Sequence, residues 1–526
     1  MDQAALWVKL TDAGATGPLL DLMRQLYAQL RYILRFIGET TRLFRALAGI
    51  LAGDPITPAF WLLFLADLKL TPYEDDLLLD GRVIDLLLIA DDVASMSMSV
   101  PGINYKGVEI AGFCGHNLLF MCVPKSLYMV FNVLPRALPD VCINGGLIDF
   151  TDTAAYAGMT FTSSHCDIFV RHYEAKALTA WNVANTSLSL ESRVGTIPPV
   201  SIISMYKALI EPHLVYGCEA ALDVRPLSLK PLLNVQSMYL CRSLGLGPRS
   251  QLAPLYTETG VWPIRYRWVY LTLWWLRYVV RDRPPLPLAA VREAWQLAQD
   301  HHSSWWGDLC LSLLELPVAV LVQIEEMPTV DSVYSALAQV ELPLTRHLFD
   351  SVMLSERLPI LQARFRRLSS PVTLSHVCRQ RPYLSVSHPK HREALVHLIS
   401  SDHPLGVETG RRQGWEIPRH CRVCRFCRRR GAVEDEVHAL LACEDPRLAD
   451  LRERELLSAL ESQVDPLPGA RRMYARVQSW DFLDFLLRAQ RLHAALSHFV
   501  FLVFKLVDSV PPLFLASDAE WQALDV

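Results

Sequence analysis

The chain has 526 residues, 51% of them hydrophobic, which excludes disorder along its whole length and leaves room for three or four domains of about 150 residues. A formal net charge of −4 excludes overall basicity as a basis for nucleic-acid binding, which would need local basic surfaces. Most of the twelve cysteines stand alone in apolar surroundings, as Cys114, Cys122, Cys218 and Cys241 do; that excludes a dense disulfide framework and fits a reducing compartment with one metal site.

The start, Met1-Asp2-Gln3, has no basic stretch ahead of an apolar core, so no signal peptide is expected. Residues 18 to 37 read as one amphipathic helix opened by Pro18. Leu19, Leu22, Met23, Leu26, Leu30, Ile33 and Leu34 form its apolar stripe, with Arg24, Arg31 and Arg35 off it. Thr57-Pro58 reads as the cap and first position of a helix over Ala59 to Leu68. The apolar run Val83 to Ala90, after the turn pair Asp80-Gly81, predicts a buried strand, and the pattern resumes after Asp91-Asp92. From about 166 to 400 the pattern is mostly helical, with breaks at Pro198-Pro199, Pro284-Pro285 and Pro371 and a linker over 284 to 300. Residues 405 to 420 are polar and irregular and lead to a cysteine cluster; a helical region follows from about 446. Its most apolar part, Ala494 to Val507, is too short to span a bilayer and predicts a buried helix.

Two constellations carry chemistry. In the first, Ala90-Asp91-Asp92-Val93 sets adjacent carboxylates at a strand end, where they repel each other unless solvated or bound to cations. Nucleotidyl transfer needs such a pair to hold two magnesium ions, roughly 3.5–4 Å apart. Taken alone, two aspartates at a hairpin tip are also ordinary turn formers. In the second, Cys424-x2-Cys427-x10-His438-x4-Cys443 has the ligand types and spacing of tetrahedral zinc. Cys421 just before it leaves open which of Cys421, Cys424 and Cys427 ligate. Eight arginines against one glutamate between 411 and 430 would make the site a cationic surface for phosphates.

In order along the chain, further segments resemble the palm of reverse transcriptases from LINE-like (non-LTR) retrotransposons. Gly53-Asp54-Pro55-Ile56-Thr57-Pro58 is similar to that family's Gln-Gly-x-x-x-Ser-Pro motif, and Ile89-Ala90-Asp91-Asp92 to its Tyr/Phe-Ala-Asp-Asp box. Pro124-Lys125-Ser126-Leu127 through Val130-Phe131 resembles the Lys-Ser/Thr-Lys-x-x-Val-Phe segment. Tyr156-Ala157-Gly158-Met159-Thr160-Phe161 resembles the Tyr-Leu-Gly-x-x-Phe primer grip. Tyr206 to Gly217, and Arg242 to Leu246 leading to Glu258-Thr259-Gly260, resemble the helices beyond the palm, so the likeness runs from roughly residue 6 to 285. The Cys424/Cys427 spacing is the nearest to the zinc knuckles that follow these enzymes.

The resemblance implies roles. Asp91 and Asp92 would ligate Mg2+, Lys125 would protonate the departing pyrophosphate, and Gly53, Thr57, Pro58 and Gly158 would contact template, primer or nucleotide. Cys424, Cys427, His438 and Cys443 would hold Zn2+. The partners would be an RNA template, a DNA primer and deoxynucleotides, with no membrane, in the cytoplasm or nucleus. Ala52 stands where the family has glutamine, and Ile89 where it has an aromatic. The family's first palm aspartate, in a motif like Asp-x-x-x-Ala-Phe-Asp, has no counterpart: Asp2, Asp12 and Asp21 lack flanking apolar strands. The expected fold is α+β. A partial palm of antiparallel sheet and packed helices (1–165) would lead to a thumb- or connection-like helical region (166–285) and a helical linker region (286–405). A zinc-knuckle-like module (406–445) and a helical tail (446–526) would follow. The expected function is a retroelement protein of the RNA-directed DNA polymerase class, inactive in this form; the alternative is a non-catalytic zinc-knuckle protein that binds RNA or DNA.

Overall fold

The computed structural model describes all residues except 47, 52, 133, 135, 223–225, 322–325, 414–416, 462–478, 516–519 and 521–526. Ala52, which replaces the family glutamine, thus lies outside the described residues. The chain divides into two compact units, Met1–His172 with Pro285–Gln296, and Tyr173–Pro284 with Leu297–Val526. The fold is α+β, about 56% helical, with small sheets.

The first unit is built on α1 (Gln3–Asp12), α2 (Pro18–Gln29) and α3 (Thr57–Leu65). The Asp2 carboxylate opens α1 by accepting from the Ala5 N–H at 2.9 Å. Pro18 opens α2 as expected, but the helix stops at Gln29 and not at residue 37. Beyond it, Tyr32 and Phe44 exchange backbone hydrogen bonds, and Arg35–Phe36 pairs antiparallel with Glu39–Thr40 about Ile37 and Gly38, both at positive φ. The buried face of α2 also differs from the predicted stripe. Leu19, Leu22 and Leu26 are 64%, 50% and 50% exposed, while Leu20 and Tyr27 enter the core with Leu6, Leu10, Phe60, Phe64 and Leu65. Aromatic packing selects that face: the Tyr27 ring meets Trp7 edge-on at 5.5 Å and lies 6.1 Å from Phe60.

Helix α3 starts two residues earlier than predicted and ends at Leu65. Thr57 lies inside its first turn and does not cap it; its hydroxyl donates to the Leu51 carbonyl at 2.6 Å. The predicted strand Val83 to Ala90 is split at Asp85. The first part belongs to a hairpin of β1 (Leu77–Leu79) and β2 (Arg82–Ile84), whose turn residues Asp80 and Gly81 both have positive φ. The second pairs β3 (Leu86–Ile89) with β4 (Asp92–Ser95). Asp85 lies between the two hairpins, its carbonyl accepting from Met96 N–H and Ser95 Oγ. These strands are half-exposed, not buried, since every sheet among the described residues has only two strands. Behind them α4 (Val100–His116) supplies a fully buried Lys106, ion-paired to Asp76. Burial raises the Asp76 carboxyl, but the Lys106 hydrogen bond and charge outweigh it and hold it below the usual range.

The predicted linker over 284 to 300 is a helix, Pro285–Gln299, most of which belongs to the first unit; the second unit is helical. Arg283, in the left-handed region, ends the helix Ile264–Asp282, and prolines in the next first turn cost no hydrogen bond. The predicted buried helix at the end is present as His493–Asp508, with Leu496, Phe499, Val500, Val503 and Val507 in the core. Among the described residues no helix is long and apolar enough to cross a membrane. A buried charge network centres on Glu258, at the end of α5 (Leu252–Thr259). Arg364 Nη1, from α6 (Pro359–Arg366), donates to both Glu258 oxygens at 2.9 Å; Arg381 and the Tyr383 hydroxyl add further bonds.

Removing one partner of such a group strands buried charge, which costs about 3–5 kcal/mol. Glu258→Gln should therefore lower the stability of the second unit by about 3 kcal/mol in urea titration. The pH dependence has a fixed sign. Burial raises the Glu258 carboxyl, but Arg364 and Arg381 outweigh it and hold it below its ordinary value of 4.5. Its contribution is thus fully present above 4.5 and is lost as pH falls through the depressed value. Glu258→Gln should flatten the acid limb of the stability profile; an unchanged limb would assign that dependence to other carboxylates.

Candidate metal centre

Local backbone geometry gathers four ligands from two short segments. Arg422–Val423 pairs antiparallel with Leu513–Phe514, and Val423 also bridges Val433. The chain folds back between these positions, with Cys424 N–H bonded to the Ala432 carbonyl at 2.8 Å and Arg428 N–H to the Cys424 carbonyl at 3.0 Å. Arg428 and Gly431 take the left-handed conformations that the tight return needs. Cys424 and Cys427 sit on this turn.

The other two ligands come from a single wide turn, His438–Ala442. Residues five apart on an ordinary α-helix point about 140° apart at 100° per residue. Here the Cys443 N–H reaches the His438 carbonyl at 2.7 Å, closing a π-type turn that brings both to one side. Asp435 caps it by accepting from His438 N–H at 2.9 Å. At its other end the buried Arg452 donates to the carbonyls of Leu440 (2.8 Å) and Cys443 (2.9 Å).

Cys424, Cys427, His438 and Cys443 each offer a ligand atom within 4.8 Å of all the others. The Cys424 and Cys443 sulfurs are 3.7 Å apart, and Cys427 Sγ lies 3.3 Å from His438 Nε2. A tetrahedron with Zn–S bonds of about 2.3 Å has S–S edges of about 3.8 Å, whereas a disulfide needs about 2.05 Å. The group could hold a metal such as zinc. Cys421 is buried but lies outside the group, whose two closely spaced cysteines are Cys424 and Cys427. With only protons present, the hydrogen bond from Cys424 pushes the Cys443 thiol down to about 4, and the same bond pushes Cys424 up.

The arginines around this centre are mostly committed. Arg422 and Arg425 are buried; Arg411 pairs with Glu408, Arg412 with Asp402, Arg419 with Asp435 and Arg429 with Glu444. Arg428, Arg429 and Arg430 are exposed. Sequence spacing missed Arg452, Asp435 and Glu434, because their roles are contacts to backbone and charge that no ligand pattern encodes.

Asp91 and Asp92 lie at the exposed tip of the β3–β4 hairpin, Asp91 in the turn and Asp92 paired with Ile89. The Trp61 indole N–H binds the carbonyl of Ala90, which has positive φ, and fixes that turn. The hairpin β5 (Thr153–Tyr156) and β6 (Met159–Thr162) turns through Ala157 and Gly158, both at positive φ. Burial, and then the Asp92 charge, push the Tyr156 hydroxyl up. Gly53 also has positive φ, and Pro58 sits in the first turn of α3. Lys125 is exposed and makes no ion pair with Asp91 or Asp92 among the described residues. Nor does a third Asp, Glu, His or Cys join the two aspartates in a metal-sharing group there. Two carboxylates alone do not complete a two-magnesium site.

Compared with models of protein families and with curated proteins, the chain gives no match.

Purified chain should carry about one zinc per molecule, the stoichiometry of a closed four-ligand site. Cys427→Ser with His438→Gln removes two of the four ligands and should abolish retention by elemental analysis. A chelator should lower the melting temperature of the wild type but not of that double variant. Equal metal content in both proteins would remove the assignment.

Proposed function

We propose that the chain derives from the reverse transcriptase of a LINE-like retrotransposon and keeps a zinc-knuckle-like centre without an operating polymerase site. The observation that supports this most is the Cys424–Cys427–His438–Cys443 group, gathered at the spacing the resemblance implies, downstream of the Asp91-Asp92 hairpin. The class reaction adds deoxynucleotides to a primer 3′ hydroxyl on an RNA template. In that chemistry two Mg2+ ions activate the hydroxyl and neutralise the leaving pyrophosphate. Among the described residues Asp91 and Asp92 would face both ions without a further shared ligand, and no ion pair orients Lys125 as an acid. Polymerisation by this chain is therefore not expected, and an intracellular nucleic-acid-binding role is what remains. The exposed Arg428 beside the zinc ligands favours the second reading, a protein that binds RNA or DNA without catalysis.

Loss of a shared metal ligand removes both charge neutralisation and in-line positioning, an effect of several orders of magnitude in rate. The zinc-loaded chain should give no primer extension on an RNA template with magnesium and deoxynucleotides, yet retain the primer–template at low salt in a filter-binding assay. Extension that Asp91→Asn abolishes would mean another carboxylate completes the site and this chain is a polymerase. Failure to retain any nucleic acid would sink the retroelement reading in both forms.

A further inference from the structure

Where α6 ends, the chain runs Arg366-Arg367-Leu368-Ser369-Ser370-Pro371. The helix closes as the N–H groups of Arg367 and Leu368 bond to the carbonyls of Arg364 and Phe365, at 3.2 and 3.1 Å. No regular element follows until Thr373, which caps the short helix Leu374–Val377. Ser369, Ser370 and Pro371 are exposed, and among the described residues neither serine gives its N–H to a partner. A surface segment held by so few backbone bonds is readily drawn into another protein's groove.

The residues ahead of Ser369 are of one chemical kind. Arginines stand two and three positions before its hydroxyl; adjacent arginines also occur at 411–412, 428–430 and 471–472, but none of those runs has Ser or Thr at that spacing. Guanidinium forks at fixed positions before a hydroxyl are read by carboxylates around the groove of an arginine-directed serine kinase. The transfer is balanced. Ser369 Oγ attacks the γ-phosphorus of ATP, the bond to the β-phosphate oxygen breaks and ADP leaves, and the hydroxyl proton passes to the catalytic aspartate of the kinase.

The second of these arginines already has a task. Arg367 pairs with Asp481 at 2.9 Å and lies 3.9 Å from Asp484, both on α7 (Trp480–Arg488), the helix packed against α6. Asp484 is fully buried, and among the described residues no hydrogen bond reaches either of its oxygens. Its charge is balanced by Arg364, Arg367 and Arg488, at 3.9, 3.9 and 3.0 Å. Arg364 is at the same time bound to Glu258, so Arg367 is not readily replaced. Residues two apart have Cα atoms at most about 7.6 Å from each other, which puts a group on Ser369 within reach of Arg367. A phosphoserine there carries a charge of about −1.5 to −2 and three acceptor oxygens, more than the exposed Asp481 offers.

We propose that Ser369 is a phosphorylation site for an arginine-directed serine kinase, and that its phosphate takes Arg367 from Asp481 and Asp484 and loosens α7 from α6. The inference stands on this loop and does not depend on the retroelement reading.

The test uses the full, folded, zinc-loaded chain with magnesium, ATP and the catalytic subunit of cyclic-AMP-dependent protein kinase as the arginine-directed enzyme. About one phosphate per chain should be incorporated and map to Ser369 by mass spectrometry. Ser369→Ala should abolish incorporation and Ser370→Ala should leave it unchanged. Arg366→Ala should slow it about tenfold, the effect of losing one charge-assisted contact. These three positions are exposed, so the variants keep the fold. Hydrogen exchange reads the consequence: amides of α7 should exchange several-fold faster after phosphorylation, while those of the helix His493–Asp508 hold their rates. Arg367→Gln, without kinase, should speed the same α7 amides. Phosphate that enters only chain unfolded in urea, or that persists in Ser369→Ala, overturns the site. Unchanged exchange of α7 in the fully phosphorylated chain overturns its effect.

Discussion

The metal centre depends on one buried ion pair, Arg425 with Glu434. Both are almost fully excluded from water, and an isolated charge there would be untenable. The pair is sustained because nearly every donor and acceptor has a partner. Arg425 gives Nε and Nη2 to Glu434 and its remaining N–H groups to the carbonyls of Pro404, Val507 and Val510. Glu434 in turn accepts the backbone N–H groups of Arg425 and Gly406. Three segments distant in sequence therefore converge on one guanidinium, which lies next to Cys424. A buried pair of this kind is weak evidence for net stability. What it does is tie the turn that carries Cys424 to the segments around Pro404, Glu434 and Val507.

That use of arginine explains why counting charge along the chain misjudged the surface. Residues 411 to 430 contain eight arginines, and the sequence pattern reads them as one cationic face. The structure divides them. Arg422 and Arg425 are interior groups satisfied by carbonyls and Glu434, while Arg411, Arg412, Arg419 and Arg429 answer acids from residues 402 to 444. Guanidinium is the cation that can be used this way, because five donors in a rigid plane can be distributed over carbonyls without losing the charge. Arg428, Arg429 and Arg430 are exposed together at the turn that follows Cys427.

Cys424, Cys427, His438 and Cys443, the group that could hold a metal such as zinc, were legible because each is a rare residue type at a spacing fixed by one turn. Only the choice between Cys421 and its neighbours required coordinates. The α+β character and the turn at Asp91-Asp92 were legible for a similar reason: turn residues between apolar runs act locally. The face of α2 was not, since its sequence carries two apolar stripes about 100° apart. One runs through Leu19, Leu22 and Leu26, the other through Leu20, Met23, Tyr27 and Leu30, and the aromatic rings of Trp7 and Phe60 decide between them. Nothing inside α2 contains that information. The split at Asp85 was visible as the one acid inside a nearly continuous apolar run, but the partners of the strands on either side of it were not.

The two constellations differ in how far they must reach to be complete. A tetrahedral metal site closes on four ligands, and here the four candidates fall between residues 424 and 443, on two turns. Its geometry is therefore almost a local property of the sequence. A two-metal polymerase site cannot close that way: adjacent aspartates on a hairpin point to different sides of the ladder, so the ligands that bridge both ions must come from another strand. Among the described residues the β3–β4 hairpin has no third strand beside it. Asp91 and Asp92 are thus solvated charges held at a well-formed tip, and the chemistry their sequence resembles rests on a neighbour that the hairpin alone does not provide.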